Sequence, residues 1–134
     1  MMNYLLDTNI CIYIIKQKPI TVINRFEIIS PLQIGVSMIT VAELEYGVQK
    51  SLFPKQNSDA LTKFLSPLML YEFDFDASQI YGIIRSKLEQ NGNVIGSLDM
   101  LIAAHALSLN CTLVTNNEKE FNRIETLTLE NWAL

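Results

Sequence analysis

An α/β fold, with a mostly parallel, twisted sheet of four or five strands and helices on both faces, is what this 134-residue chain predicts. Three observations point to it. Short apolar runs of strand length alternate with longer segments of helical spacing, the pattern of strand–helix–strand units. From Leu98 to Leu109 the only polar side chains are Asp99, His105 and Ser108, and a helix without a polar face belongs inside a domain. Hydrophobic residues make up 49% of the chain, and no repeat or low-complexity run interrupts it, so a single domain over residues 1–134 with one good core is expected.

Taken in order, "NYLLD" (Asn3 to Asp7) reads as a short buried strand ending at an acid. "TNICIYIIKQK" spaces Ile10, Ile14 and Ile15 as a helix does and is stopped by Pro19, which opens a second short helix to about Ile29. "LQIGVS" (Leu32 to Ser37) is a strand feeding the helix "ITVAELEYGVQKS", with Thr40 as its candidate cap and Lys50 near its end. Pro54 to Leu68 is amphipathic and helical, and "MLYEF" (Met69 to Phe73) returns to strand. "DASQIYGIIRSKLEQNG" has an acidic cap at Asp76 and a stop at Gly92. The apolar helix follows, then the strand "CTLVT" (Cys111 to Thr115), a polar "NNEKEF" turn and an edge strand at "LTLEN".

Composition excludes several classes. Ten Lys and Arg against fourteen Asp and Glu leave a net charge of −4, so nucleic acid is not bound through a broad basic field. Any contact with RNA has to be local, at a carboxylate cluster neutralised by divalent cations. The apolar N-terminal run is interrupted by Asp7 and Asn9 and has no basic residue before it, unlike a signal peptide or membrane span. Cys11 and Cys111 form no C-x-x-C pair and are expected as buried free thiols in a reducing cytoplasm.

In sheets of this kind ligands bind beyond the carboxyl ends of the strands, and right-handed crossovers bring successive connections to one edge. Asp7 ends the first strand, Glu43 lies in the helix after the second, Asp99 opens the helix before "CTLVT", and Asn117 and Glu120 follow that strand. Each has a plainer reading. Asp7 suits a helix cap, as do Thr8 and Asn9 beside it. Glu43 and Glu45 are not separated by helical phase. Asp99 favours the positive end of its helix, where Ser97 is a candidate cap, by roughly 0.3–1 kcal/mol. Glu120 reads as a turn residue.

Converging carboxylates repel, and their pKa values rise unless a cation joins them. Oxygen-only donors point to Mg²⁺ or Mn²⁺ rather than zinc, and such an ion suits phosphodiester hydrolysis by an activated water. His105 is the only histidine, which leaves no His/Cys metal cluster and no Ser–His pair; packing, or a hydrogen bond to a neighbouring helix, is its expected role. The carboxylates of "DFD" (Asp74 to Asp76) are explained by capping. There is no G-x-x-x-x-G-K or G-x-G-x-x-G loop to cradle a nucleotide.

"LLDTNICIYIIK", "ITVAELEYG", "GSLDMLIAAHAL" and "LVTNNEKEF", in this order and at these separations, resemble the PIN-domain ribonucleases, and more narrowly the VapC toxins of type II toxin–antitoxin systems. The resemblance runs from about residue 3 to residue 132. It implies a PIN-like fold and an acidic site of Asp7, Glu43, Asp99 and Glu120, and it selects Glu43 over Glu45. It implies that Asp7 and Asp99 hold Mg²⁺ most directly, with Mn²⁺ as a substitute, and that Asn117, Thr115 and Asn9 are secondary candidates. Many members carry Asp soon after "LVT", where this chain has Asn116 and Asn117; Glu120 takes that role here, with Asn117 as a neutral ligand or water-holder. Ser97 is a milder departure, since close relatives often have an aromatic or proline-bearing turn before the Asp.

The activity so implied is metal-dependent cleavage of single-stranded RNA or an RNA loop, such as the anticodon loop of initiator tRNA. The implied partners are a second copy of the chain, a VapB-like antitoxin with a basic tail, and operator DNA through that antitoxin. Ile12, Tyr13 and Ile23 are open between core and partner surface. The competing readings are a PIN-like binding protein without activity and a phosphoacceptor receiver domain. The receiver would need adjacent acids after the first strand and a lysine after the last parallel strand, but Asp7 stands alone and no lysine follows "CTLVT" before Lys119. A dehalogenase-type phosphatase needs D-x-D where this chain has "DTN".

Overall fold

The computed structural model describes residues 2–134. Five parallel strands, β1 (Tyr4–Leu6), β2 (Ile34–Ser37), β3 (Met69–Tyr71), β4 (Thr112–Val114) and β5 (Leu129–Glu130), lie in the order β3-β2-β1-β4-β5. The expected edge strand is β5. The chain builds outward from β1 to β3 on one side, then crosses to β4 and β5 on the other. The β1–β4 junction is therefore where the strand order reverses, the place at which open α/β sheets form a ligand crevice.

Seven helices connect the strands: α1 (Thr8–Lys16), α2 (Ile20–Ile28), α3 (Met38–Lys50), α4 (Pro54–Leu65), α5 (Phe75–Gln90), α6 (Ser97–Ser108) and α7 (Glu118–Phe121). Neighbouring residues in the central strands point to opposite faces, so each face has its own core. Leu6, Ile34, Val36 and Val114 pack with Ile10, Ile14, Val22, Val41, Leu44 and Leu61 of α1 to α4. Leu5 and Leu113 pack with Ile84 and Leu88 of α5, with Met100, Ile102, Ala103 and Ala106 of α6, and with Phe121. Helix α6 lies against α5 and is buried at Met100 and from Ile102 to Ala106, in keeping with its lack of a polar face, while Ser97 and Leu98 in its first turn are exposed. Ile12, Tyr13 and Ile23 turn toward the first core, and the exposed apolar side chains of α2 are instead Ile20 and Ile28.

Several boundaries differ from the sequence expectation. Ser37, not Thr40, caps α3, accepting the Ile39 N–H at 3.1 Å; Thr40 is buried inside the helix. Asp74, not Asp76, caps α5 through the Ala77 N–H at 3.0 Å, which leaves Asp76 in the first turn, where an acid also suits the helix dipole. The N-cap of α6 is Gly96, with no side-chain bond, so Ser97 is not a cap. Helix α4 ends at Leu65, and part of the "NNEKEF" turn is the short helix α7. Gly92 does supply the stop after α5, with φ +65°, a conformation glycine adopts without penalty. Cys11 is buried as expected but Cys111 only half so.

At the β5 edge, Arg25 and the indole N–H of Trp132 both donate to Glu130 Oε1, at 2.9 and 3.0 Å. The Arg25 guanidinium also lies 5.5 Å from the Trp132 ring centre. These contacts tie the last strand to α2. Among the described residues no helix is long and apolar enough to cross a membrane.

Candidate active site at the reversal of strand order

Asp7 leaves the end of β1 directly above the junction with β4. Its backbone N–H donates to Val114 O at 3.0 Å, fixing it to the neighbouring strand. Its carboxylate does two things. Oδ1 accepts the Ile10 N–H at 2.9 Å and caps α1, and the group also takes hydrogen bonds from the Thr115 hydroxyl and the Asn9 N–H. The cap reading and the site reading are therefore both realised in one side chain. Despite these donors, burial pushes the Asp7 pKa up to about 6, with the charge of Glu43 adding to the rise. Asp7 is 5% exposed.

Glu43 and Glu45, which periodicity leaves tied, separate in three dimensions. Glu45 is exposed. Glu43 is half-buried, and its Oε1 accepts the Thr8 hydroxyl at 2.7 Å; Thr8 Oγ1 lies 3.4 Å from Thr40 Oγ1. A hydroxyl carries one proton, so with Thr8 donating to Glu43, Thr40 is the donor to Thr8. This short relay fixes the Glu43 side chain. Thr8 and Thr40 are the site residues that sequence reasoning passed over. The available signals were the position of Thr8 directly after Asp7 and the three-residue spacing of Thr40 and Glu43, which places both on one face of α3.

Asp99 stands in the first turn of α6, half-buried. Burial raises its pKa to about 6, and a hydrogen bond with Glu120 and the charges of Glu120, Asp7 and Glu43 push the same way. A hydrogen bond between two carboxyl groups requires one of them to carry the proton. Glu120 reaches this position from α7, and its Oε2 accepts the Asn117 side-chain N–H at 3.2 Å. The Asn117 backbone N–H in turn donates to Thr115 Oγ1 at 3.0 Å. The Asn117 side-chain nitrogen therefore holds the fourth acid, and Asn9 takes part through its backbone, its side chain being exposed. Glu118 turns elsewhere and accepts from Asn131 at 3.2 Å.

Four acids from four separate segments thus act on one another across a single rim. The ion pairs among the described residues are Arg25–Glu130 and Arg85–Glu89, neither of which involves these acids. No cationic group lowers the pKa of Asp7 or Asp99. The acids face one another without closing to a point: among the described residues no three Asp, Glu, His or Cys side chains are close enough to hold one metal ion. The donor set, all carboxylate, hydroxyl and amide, is that of a hard divalent cation, and a cation at the rim would relieve the mutual repulsion of these acids.

The family model described as "PIN domain" matches residues 4–127. The chain is 48% identical over 132 residues to Ribonuclease VapC2 of Rickettsia felis, covering 98% of both proteins. It is 38% identical to the tRNA(fMet)-specific endonuclease VapC of Shigella flexneri, covering 99% of this chain and 100% of that one. A crystal structure of VapBC2 from Rickettsia felis bound to a DNA fragment from their promoter contains a chain that superposes with a TM-score of 0.91 at 47% identity, covering 98% of this chain and 99% of that one. With the end of β1, α3, α6 and α7 presenting the acids that the motifs mark, the chain belongs to the PIN-domain family, among the VapC ribonucleases.

Proposed function

We propose that this protein is a divalent-metal-dependent endoribonuclease and the toxin of a type II toxin–antitoxin module. The observation that carries the reading is the gathering of Asp7, Glu43, Asp99 and Glu120 at the β1–β4 junction, where the neighbouring acids push the Asp7 and Asp99 carboxyls upward and no cationic side chain pairs with any of the four. Asp7 and Asp99 would hold Mg²⁺, or Mn²⁺ in its place, and Glu43 and Glu120 would complete the pocket. A bound divalent ion supplies Lewis acidity, lowering the pKa of water and offsetting charge on a phosphate. The chain's own residues prepare the place: Thr8 and Thr40 fix Glu43, Thr115 steadies Asp7, and Asn117 restrains Glu120.

RNA is the substrate, engaged at this local site because the net charge of −4 offers no broad attraction. Unpaired bases of a loop are the RNA features a protein surface reads best. With the substrate named for the Shigella flexneri relative, that favours a tRNA loop, the initiator tRNA anticodon loop first. A VapB-like antitoxin, a homodimer, operator contact through the antitoxin and a cytoplasmic location complete the proposal. The antitoxin and the operator contact are supported by the DNA-bound VapBC complexes in which similar chains are found.

The test is cleavage of total RNA by the purified protein with Mg²⁺, with the cut ends mapped, beside Asp99→Asn and beside excess EDTA. Cuts concentrated in tRNA loops, and lost in both controls, are expected. Undiminished cleavage in EDTA or by Asp99→Asn would overturn the metal-dependent mechanism.

A further inference from the structure

His105 is a buried polar side chain that the acidic site does not use. It lies in α6, six residues beyond Asp99, at 1% exposure, and its Nδ1 is 2.7 Å from the Oγ of Ser37, itself fully buried. Ser37 ends β2 and caps α3, the helix that carries Thr40 and Glu43. One polar pair therefore spans the core between the helix of Asp99 and the capped end of the helix of Glu43. Because Ser37 Oγ already accepts from Ile39, its own proton is free to go to Nδ1, which places the imidazole hydrogen on Nε2. Burial keeps the ring neutral, against the opposing charge of Asp74 and the carbonyl of Glu72. Phe73 packs edge-on at 5.4 Å between ring centres, and Nε2 makes no well-formed hydrogen bond, although the Glu72 carbonyl lies near enough to act on the ring.

As a space-filler, imidazole is a poor choice here. An apolar ring of the same size would fill this space with no polar nitrogen to satisfy. What the imidazole adds is a directional bond to the start of α3. We propose that His105, acting through Ser37, is a positioning residue that sets the placement of Asp99 relative to Glu43, and so the affinity of the acidic pocket for a divalent cation. The inference rests on the metal-dependent reading above.

The test measures Mn²⁺ affinity from the electron paramagnetic resonance of the free ion, with Mg²⁺ as competitor, and the melting temperature in EDTA, for wild type, His105→Phe, Ser37→Ala, the double variant and His105→Asn. Loss of this more remote hydrogen bond is expected to weaken Mn²⁺ binding by up to about tenfold, the low end for groups bonded directly to a metal ligand. The double variant should be no weaker than the stronger of the singles, because both remove one bond. His105→Asn, which offers an amide oxygen near the place of Nδ1, should recover most of the affinity, and the melting temperatures show that each variant compared is folded. Unchanged affinity in His105→Phe and Ser37→Ala, or losses that simply add, would overturn the inference. Should His105→Phe not fold, Ser37→Ala against His105→Asn carries the same comparison. A wild type that binds no Mn²⁺ removes the metal-dependent reading and this inference with it; a wild type that binds, with variants that bind equally well, removes the inference alone.

Discussion

Replacing Asp7 by Asn should abolish cleavage and yet stabilise the metal-free protein. In the folded chain the Asp7 carboxyl titrates at about 6 rather than its ordinary 3.8, chiefly because it is buried. At about 1.4 kcal/mol per pH unit, the gap makes the ionised group a cost of about 3 kcal/mol to the fold at neutral pH. The sign follows from proton linkage. Between pH 3.8 and 6 the folded state binds a proton that the unfolded state has released, so stability falls as pH rises through that window and the full cost stands above it. Asparagine carries no charge and still offers an oxygen to the Ile10 N–H, so the α1 cap survives.

In EDTA at pH 7.5, Asp7→Asn should therefore be more stable by up to about 3 kcal/mol, a rise of roughly 10 °C in melting temperature for a chain of this size. At pH 4.5 most of the wild-type cost has been relieved by protonation, and the gain should shrink to about 1 kcal/mol. Thermal melts of the two proteins at both pH values make the comparison. Adding MgCl₂ at pH 7.5 should then raise the wild type and leave the variant where it is, since only the wild type gains by binding. A variant less stable than wild type at pH 7.5, or a gain of equal size at the two pH values, would refute the reasoning.

Glu120→Gln should lower RNA cleavage far more than Glu118→Gln, because Glu120 meets Asp99 whereas Glu118 meets Asn131; initial rates on one tRNA substrate decide it. His105 titrates below its ordinary 6.5 in the fold, so its neutral form adds stability above pH 6.5 that is lost as pH falls below it. Urea unfolding at pH 7.5 and 5.5 should show the wild type losing ground to His105→Asn. Gly35 lies in β2 where an added Cβ would come within 2.8 Å of the Tyr71 ring. Gly35→Ala should accordingly cost about 1–3 kcal/mol in urea unfolding, with much of the loss recovered by Tyr71→Leu.

The elements legible in the sequence are those set by period and length. The strand at Asn3 to Asp7, the apolar helix of Asp99 and the glycine stop after α5 follow from patterns that tertiary contacts do not override. What was not legible is decided within one or two residues. Asp74 and Asp76 both suit the start of α5, and Ser37 lies three residues before Thr40; which oxygen reaches an amide depends on where the chain leaves its strand, and β2 runs to Ser37. The tie between Glu43 and Glu45 had the same character. Apolar neighbours surround both, so periodicity leaves them tied; the family resemblance selects Glu43, and the physical reason is the approach of Thr8 from another helix. The contacts that fix Asp7 and Glu43, from Thr115 and Thr8, join residues more than thirty apart, and periodicity carries no trace of them.

Asp99 shows why such a site can exist in an otherwise ordinary core. Helix α6 contributes buried Met100, Ile102, Ala103, Ala104 and Ala106 to the packing, and its first turn opens at the rim. Apolar burial of that extent offsets an ionised carboxylate at one end, provided the acid has an escape. Here the escape is the proton shared with Glu120, and the pKa of about 6 records how readily it is taken. A cation could take the place of that proton. If the pocket is built for one, removing the charge of Asp99 should stabilise the apo protein and destroy cation binding in the same substitution. An acid that served only the helix dipole would do the opposite on the first count, because losing it would weaken the helix by roughly 0.3–1 kcal/mol. The sign of the stability change in Asp99→Asn in EDTA at pH 7.5 therefore separates a cation site from a helix-end acid, even before any RNA is cut.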